Sequence, residues 1–327
     1  MKAFVHELGE LKISEVNEPV ANKREVVVKL RTAGLNRRDL YIPNRRGDEA
    51  DALVLGSDGA GVIDSVGEGV TDFAVGDEVI INPALRWETN SVAPPEGFDI
   101  LGMPDNGTFA QKIVISSEQV ELKPKHLTWE EAGVLALSAL TGYRALFTKG
   151  NLKEGETVFI PGAGSGVATY LISFAKNIGA RVIVTSRSEE KRQHALELGA
   201  DIALDTNGDW KQELDGETID LVIESVGRAT FNRSLEVLKK GGRIVVFGAT
   251  TEDTVELDLR NFFYSQFQLL GSTMGSREEL REMIAHIEKY ETHPVVDKTF
   301  TLDDAVKAFD YLEQSKNFGK VAFRISE

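Results

Sequence analysis

Residues 158–168 read VFIPGAGSGVA, and this stretch decides the fold. An apolar strand pattern ends at Ile160, a glycine-rich turn follows, and a helical pattern extends from Ser165 to Asn177. Glycines let the backbone approach a pyrophosphate, and a helix N-terminus adds free N–H groups and partial positive charge. The stretch therefore predicts a dinucleotide-binding turn, with these candidate contacts: Gly162, Gly164, Ser165, Gly166, Val167 and Ala168.

The glycine spacing of this turn departs from the strict G-x-G-x-x-G pattern. Val167 stands where the third glycine is expected, and Ala168, a permitted small residue, follows one step later. Since any strand-to-helix turn can be rich in glycine, the surrounding pattern has to support the prediction.

Alternating strand and helix patterns surround this turn. Strands are predicted at 157–160, 181–185, 219–224 and 243–247, and helices at 165–177, 189–198 and 230–239. The strands are apolar runs, which suits strands buried on both faces. Such alternation predicts a parallel, doubly wound Rossmann sheet.

The second predicted strand of this sheet ends at polar residues that bear on cofactor choice. In NAD-binding proteins an acidic residue about 20 positions after the turn contacts the ribose 2′-hydroxyl. Arg187 falls at this position, with Ser186 before it and Lys191 one helical turn later. A guanidinium, a hydroxyl and an ammonium suit a 2′-phosphate, so we predict NADP. The alternative is a solvated arginine at a helix start.

The part of the chain before the predicted Rossmann sheet has a different hydrophobic pattern. Short strand patterns at 3–6, 25–30, 61–66, 78–82 and 109–115 predict an antiparallel, barrel-like domain. A helix follows over 129–147, with Thr128 and Glu131 in capping-box positions. A helix near 302–312 and a strand at 320–325 could return to the first domain. We place the substrate domain at 1–123 and 293–327, and the Rossmann domain at 124–292.

Composition excludes several classes of function. The formal net charge of −15 disfavours binding to nucleic acid or to an anionic membrane. The chain has no cysteine, which removes thiolate metal sites and thiol nucleophiles. We find neither a signal-peptide pattern nor an apolar span, and expect a cytoplasmic protein.

Taken in order, several short motifs resemble the medium-chain dehydrogenase/reductase family over essentially the whole chain. They are Asn36-Arg37-Arg38-Asp39, Leu55-Gly56-Ser57-Asp58-Gly59-Ala60-Gly61-Val62, Leu140-Thr141-Gly142-Tyr143, Glu224-Ser225-Val226-Gly227, Val246-Phe247-Gly248 and Gly319-Lys320-Val321. The resemblance implies a GroES-like substrate domain beside the Rossmann domain. It also implies a dimer or tetramer, with residues 268–273 as an edge-strand subunit contact. By position in the family, further cofactor contacts fall on Thr141, Ser225, Gly227, Phe247, Gly248, Ser272 and Lys320.

This sequence departs from the zinc-dependent members of the family. Their Gly-His-Glu element reads Gly56-Ser57-Asp58 here, and their first cysteine ligand falls near Asn36. Residues 83–106 resemble the cysteine-ligated lobe of those enzymes without its ligands. The five histidines form no close ligand pair in the sequence, so no metal site is predicted. The resemblance is closest to zinc-free members that are similar to quinone oxidoreductases.

We therefore expect hydride transfer to a small-molecule quinone or an α,β-unsaturated carbonyl. Without zinc, the growing charge on the substrate oxygen needs hydrogen-bond donors. By position in the family, Asn36 and Tyr41 are the candidates, although a turn asparagine and a half-buried tyrosine are equally compatible with the sequence. Two other hypotheses stay open: a non-catalytic NADPH-binding sensor or scaffold, and a reductase of enoyl or ketone groups on a carrier-bound substrate.

Overall fold

The computed structural model describes residues 1–326, which form eighteen strands and ten α-helices. The strands are β1 (Lys2–Glu7), β2 (Glu10–Glu15), β3 (Glu25–Leu35), β4 (Leu53–Val54), β5 (Asp58–Val66), β6 (Glu78–Ile81), β7 (Ala84–Leu85), β8 (Asp99–Ile100), β9 (Lys112–Ser116), β10 (Val120–Leu122), β11 (Thr157–Pro161), β12 (Arg181–Ser186), β13 (Ile202–Asp205), β14 (Ile219–Glu224), β15 (Leu238–Val246), β16 (Gln268–Gly271), β17 (Val296–Thr301) and β18 (Lys320–Arg324). The helices are α1 (Ile42–Arg46), α2 (Trp129–Gly133), α3 (Ala136–Tyr143), α4 (Gly166–Asn177), α5 (Glu189–Glu197), α6 (Trp210–Glu213), α7 (Phe231–Val237), α8 (Leu259–Tyr264), α9 (Arg277–Tyr290) and α10 (Ala305–Glu313).

The chain divides into two compact units. The first comprises residues 1–140 and 275–327, and the second residues 141–274. These limits differ from the domain boundaries predicted at 123/124 and 292/293. The reason is packing: α2 lies on β3, where Thr32 Oγ1 donates to the carbonyl of Trp129 at 2.5 Å. Likewise, the first N–H of α9, on Arg277, donates to the Trp87 carbonyl at 2.8 Å.

The first unit is mostly antiparallel β-structure. Its largest sheet has the order β10-β6-β5-β3-β18-β17, with β9 also paired to β3. The predicted return of the C-terminal segment is seen, because β18 pairs antiparallel with β3. An aromatic core lies beneath these strands, where the rings of Phe109 and Phe323 meet edge to face with centroids 4.8 Å apart. This is the GroES-like domain that the sequence predicted.

The second unit contains the predicted Rossmann sheet. Six strands pair in parallel in the order β13-β12-β11-β14-β15-β16. The strand order reverses between β11 and β14, since β12 and β13 lie on one side of β11 and β14 to β16 on the other. Ligands of such sheets bind outside the carboxyl ends of the strands at this switch point.

The single helix predicted over 129–147 is broken in the structure. It forms α2, then α3, and then a π-helical turn at Arg144–Lys149. The predicted capping box at its start is present, since Thr128 and Glu131 exchange side-chain and backbone hydrogen bonds. Within residues 1–326 no helix is long and apolar enough to cross a membrane.

Residues 83–106 are ordered as a small lobe. Strands β7 and β8 pair antiparallel, and the buried ring of Trp87 contacts Phe98 edge to face. Arg86 joins the two ends of the lobe through Asp99, at 2.5 Å, and Asp105, at 3.3 Å. Hydrophobic and ionic contacts of this kind hold the lobe together without thiolate ligands.

Candidate active site

The turn after β11 has the backbone that a pyrophosphate requires. Gly162 has φ +82, and an added Cβ would lie 3.2 Å from the Val226 side chain. The N–H groups of Gly162 and Ala163 both donate to the Thr185 carbonyl, at 3.1 and 2.9 Å. These hydrogen bonds attach the turn that follows β11 to the neighbouring strand β12.

The N-terminus of α4 keeps unused donors at this turn. Ser165 caps the helix by accepting from the N–H of Ala168 at 3.1 Å. The N–H groups of Gly164, Gly166 and Val167 make no hydrogen bond to any described residue. Three free amides and a helix dipole form a cradle that fits a pyrophosphate.

The 2′-phosphate residues predicted from the sequence lie at the end of β12. Arg187 is exposed, and its guanidinium makes no hydrogen bond or ion pair to any of the residues that the structure describes. The Lys191 side chain covers the turn, since a Cβ added to Gly164 would lie 2.7 Å from Lys191 Cδ. Arg192, which the sequence analysis did not assign, donates to the carbonyl of the nearly buried Ser186 at 2.8 Å and holds the strand end.

Glu224, at the end of β14, is a buried carboxylate that the sequence analysis quoted but did not assign a role. Its buried carboxylate accepts from the N–H groups of Val226 and Gly227, at 2.7 and 3.1 Å, and from Thr230 Oγ1. Burial raises the pKa of this carboxyl. A carboxylate that directly follows the apolar run Leu221-Val222-Ile223 is a signal the sequence offered, because a buried charge requires hydrogen-bond partners.

The remaining candidates of the second unit follow neighbouring strands. Ser225 and Gly227 follow β14, Phe247 and Gly248 follow β15, and Ser272 follows β16. Since the strands are parallel, their carboxyl ends share one edge with the β11 turn and with Arg187. Ser272 Oγ is buried and has no partner there, which fits a ligand at this edge. Thr141, in α3, is nearly buried and does not belong to this row of strand ends.

Lys320 lies in the first unit, inside a buried polar network. Its ammonium donates to Asn36 Oδ1, to Ser138 Oγ at 3.0 Å and to Asp58 Oδ2 at 3.3 Å. Burial lowers the pKa of Lys320. Because an ammonium has three N–H bonds and all three are used, this arrangement leaves none for the cofactor contact predicted from the sequence.

Asn36 belongs to the same network, which changes the role predicted for it. Its Nδ2 donates to Asp58 Oδ2 at 2.9 Å and to the Gly34 carbonyl at 3.3 Å. Both amide hydrogens are therefore used within the protein, and Asn36 is not a free donor for a substrate oxygen. Tyr41 does not belong to this network. Its side chain is 43% exposed, and its hydroxyl makes no hydrogen bond to the described residues.

The sequence analysis did not assign a role to three further residues at this place: Asp58, Ser138 and Arg38. Asp58 is fully buried and also accepts from the N–H of Leu137 at 2.7 Å. Arg38 Nη1 donates to Ser57 Oγ at 2.7 Å and to the Leu101 carbonyl at 3.0 Å. A carboxylate inside LGSDGAGV signals a buried ion pair, but the sequence does not show which cation pairs with it.

Zinc does not fit the residues at this place. An asparagine, a serine and a carboxylate occupied by Lys320 stand at positions 36, 57 and 58, and imidazole and thiolate donors are missing there. No group of three potential ligands among His, Asp and Glu was found in residues 1–326. The rings of two histidines that are distant in the sequence, His126 and His293, meet edge to face with centroids 5.3 Å apart. His293 Nδ1 lies 2.8 Å from Glu131 Oε1 and His126 Nε2 lies 3.3 Å from the Thr292 carbonyl.

Comparison with known protein families agrees with the two units. The alcohol dehydrogenase GroES-like domain matches residues 22–125, and the zinc-binding dehydrogenase family matches residues 166–289. A zinc-type alcohol dehydrogenase-like protein of Leptosphaeria maculans is 32% identical over 96% of this chain and 94% of its own length. The acryloyl-coenzyme A reductase of Metallosphaera sedula is 30% identical over 98% and 99%.

Solved structures of dehydrogenases and reductases are also similar to this chain. An NAD-dependent alcohol dehydrogenase superposes with a TM-score of 0.91 and 34% identity, covering 100% of both chains. A 2-octenoyl-CoA carboxylase reductase, in complex with NADP and 2-octenoyl-CoA, superposes with a TM-score of 0.88 and 26% identity over 99% of this chain and 87% of its own. The fold is that of a two-domain oxidoreductase. The chain belongs to the medium-chain dehydrogenase/reductase family.

Proposed function

We propose that this protein is an NADPH-dependent, zinc-independent reductase of α,β-unsaturated carbonyl compounds. The observation that carries the proposal is the free guanidinium of Arg187 at the end of β12, beside the phosphate cradle of the β11 turn. A 2′-phosphate would supply the anion that this guanidinium lacks. The acidic residues nearest to Arg187 in the sequence are Glu189 and Glu190. They lie in the first turn of α5, where their carboxylates interact favourably with the helix dipole.

The similar proteins differ in the cofactor and in the substrate class that they favour for this chain. The complex with NADP and 2-octenoyl-CoA and the acryloyl-coenzyme A reductase favour NADPH and a conjugated C=C bond. The NAD-dependent alcohol dehydrogenase favours NADH and a simple carbonyl. Arg187 decides between them in our proposal, because a guanidinium prefers the phosphate to the hydroxyl.

Bound NADPH would supply the hydride, and the chain has to bind and orient both reactants. In the second unit we assign this task to the β11 turn, to Ser186, Arg187 and Lys191, and to the strand ends that carry Ser225, Phe247 and Ser272. In the first unit, Lys320 and Asp58 hold Asn36 rigidly. Tyr41 keeps a free hydroxyl and is our candidate for proton delivery, with water as the competing source.

Screening reduced-cofactor oxidation tests the proposal. The purified protein should be mixed with NADPH or NADH and one of an enone, but-2-enoyl-CoA, a benzoquinone or an alkanal. We expect the enone or the thioester to be reduced with NADPH. Turnover confined to the quinone or to the alkanal would replace the proposed substrate class. Tight NADPH binding without turnover on the whole panel would support the sensor or scaffold hypothesis instead.

Zinc independence is tested by metal content. Because the ligand positions hold Asn36, Ser57 and Asp58, we expect purified protein to contain far less than one zinc per chain. Activity should withstand dialysis against a chelator. Elemental analysis is the measurement, and stoichiometric zinc whose removal abolishes turnover would contradict the proposal.

A further inference from the structure

Arg38 is a cation whose environment sets it apart from most arginines of this chain. Its side chain is only 17% exposed, and the one described carboxylate within 4.0 Å of its nitrogens, that of Asp39, lies at 3.8 Å. By contrast, nine other arginines have a carboxylate oxygen within 3.0 Å: Arg24, Arg46, Arg86, Arg181, Arg228, Arg243, Arg277, Arg281 and Arg324. Since a poorly paired buried charge is costly, a purely structural arginine here would be expected to have a closer anion.

One edge of the Arg38 guanidinium is fixed by neutral groups. Nη1 donates to Ser57 Oγ and to the Leu101 carbonyl, and Ser57 Oγ also donates to that carbonyl at 2.7 Å. These bonds tie the turn after β3 to the turn before β5. They hold the plane of the guanidinium in one orientation.

The other edge of the guanidinium is unused. Nε and Nη2 make no hydrogen bond to any described residue, and neither is among the fully buried atoms without a partner. This edge presents N–H donors side by side, an arrangement that matches one anionic oxygen or the two oxygens of a carboxylate. By contrast, the side-chain N–H groups of Asn36, two residues earlier, already donate to Asp58 and to the Gly34 carbonyl.

We propose that the Nε and Nη2 edge of Arg38 binds the carbonyl oxygen of the substrate and stabilises the enolate formed during reduction. This assignment rests on the proposed function. As the β-carbon accepts the hydride, a new C–H bond forms and the C=C electron pair moves to the α-carbon and the carbonyl oxygen. The oxygen becomes anionic beside the fixed cation, and the α-carbon then takes a proton from water or Tyr41, giving the saturated carbonyl compound. Arg38 thereby takes the role that the sequence analysis gave to Asn36.

A binding experiment tests Arg38 without relying on turnover. But-2-enoate mimics the charge of the enolate, and but-2-enamide is its neutral isostere. Both are titrated by calorimetry into the protein loaded with NADP⁺. We expect wild-type protein to prefer but-2-enoate by at least ~10-fold, Arg38→Met to lose the preference, and Arg38→Lys to keep part of it. No preference in the wild type, or an equal preference in Arg38→Met, would overturn the assignment.

Kinetics provide a second readout on any enone or thioester that the wild type reduces. Arg38→Met should lower kcat by ~10²-fold, as removal of a preorganised donor does, with the NADPH Kd within about twofold of wild type. Arg24→Met, at the opposite end of β3, is the matched control and should leave both values unchanged. Full turnover in Arg38→Met would also overturn the assignment. If the wild type reduces nothing, the proposed function fails, whereas the carboxylate titration still decides the role of Arg38.

Discussion

Three charged side chains of this protein, those of Arg187, Arg38 and Asp39, are incompletely paired. Arg187 has no partner in residues 1–326, and Arg38 uses only one of its three nitrogens. Asp39 is fully buried, and its Oδ1 accepts no hydrogen bond. Because isolated charges are costly where water is scarce, such groups are candidates for ligand binding or for pH-dependent stability.

Replacement of Arg187 by aspartate should erase most of the preference for NADPH. Charge-assisted hydrogen bonds contribute about 1.5–3 kcal/mol each, so the wild type should favour NADPH over NADH by roughly 10- to 150-fold. Fluorescence titration of both cofactors measures the ratio. Lys240→Asp makes the same charge change on an exposed side chain at the opposite edge of the sheet, and should keep the wild-type ratio. Equal affinities in the wild type would refute the assignment.

Asp39 should make the stability of the protein depend on pH. Burial raises the pKa of Asp39 from 3.8 to about 6, so the folded state resists its ionisation. The contribution of this group is therefore fully present below pH 4 and is lost as the pH rises through 6, by about 3 kcal/mol. Asp39→Asn removes the ionisation, while its amide oxygen can still accept from the N–H of Asn36, as Asp39 Oδ2 does at 2.8 Å.

The measurement is urea unfolding at pH 4.5 and pH 7. Between these values the free energy of unfolding of Asp39→Asn should fall by less than that of the wild type. The exposed carboxylate of Asp48 provides the control variant Asp48→Asn, which should follow the wild type. Parallel pH profiles for wild type and Asp39→Asn would show that Asp39 ionises normally.

At the scale of elements, the turns after the parallel strands hold the cofactor edge in shape. Gly162 and Gly227 both have left-handed backbones, with φ +82 and +94. A Cβ on Gly227 would lie 2.7 Å from the Glu252 carbonyl oxygen, and the Glu224 carboxylate accepts hydrogen bonds from the N–H groups of Val226 and Gly227. The backbone of the turns after β11 and β14 is therefore held in place by close packing at their glycines and by the hydrogen bonds of Glu224.

Gly162→Ala tests the first of these turns. The left-handed backbone should cost about 1–2 kcal/mol of stability, and the new methyl group would press on Val226. We expect NADPH binding to weaken by roughly tenfold, equivalent to 1.4 kcal/mol. Gly155→Ala has a similar φ of +78 with nothing within 4 Å of the new Cβ. Both variants should lose stability, measured by thermal unfolding, and only Gly162→Ala should lose affinity; equal affinities would separate this turn from the cofactor.

At the scale of the whole molecule, the sheet of the second unit ends in an open edge. Strand β16 pairs only with β15 among the described strands, and Leu269 on it is 46% exposed. Helix α8 buries none of its residues and exposes Leu259, Phe263 and Tyr264. An exposed edge strand with apolar neighbours favours pairing with a second copy about a two-fold axis.

We therefore expect a homodimer formed through the edge of β16, or a tetramer built from such dimers. The double variant Phe263→Asp/Leu269→Asp should be monomeric in sedimentation equilibrium, because two buried carboxylates would disrupt the apolar contact. Leu196→Asp, on α5 with 39% exposure, is the control and should remain dimeric. A wild-type monomer, or a double variant that still dimerises, would place the interface elsewhere or remove it.

The sequence by itself determined the fold class, because the periods of its apolar residues are local. The apolar runs at 157–160, 181–185 and 219–224 and the glycine turn at 162–166 were sufficient to predict the Rossmann sheet. Parallel pairing then placed the predicted contacts after β11, β12, β14, β15 and β16 at one edge. Short segments such as β13, with four residues, carry too little pattern and were not predicted.

Only the tertiary structure decided the chemistry of the first unit. Lys320 is separated by 284 residues from Asn36 and by 262 from Asp58, so no local pattern could show that its ammonium donates to the side-chain oxygens of both. The same holds for Arg38, whose fixed and free edges are defined by Ser57 and Leu101. Residue type and spacing identify the groups that could bind a substrate, but hydrogen-bond partners distant in sequence decide which of them remain available.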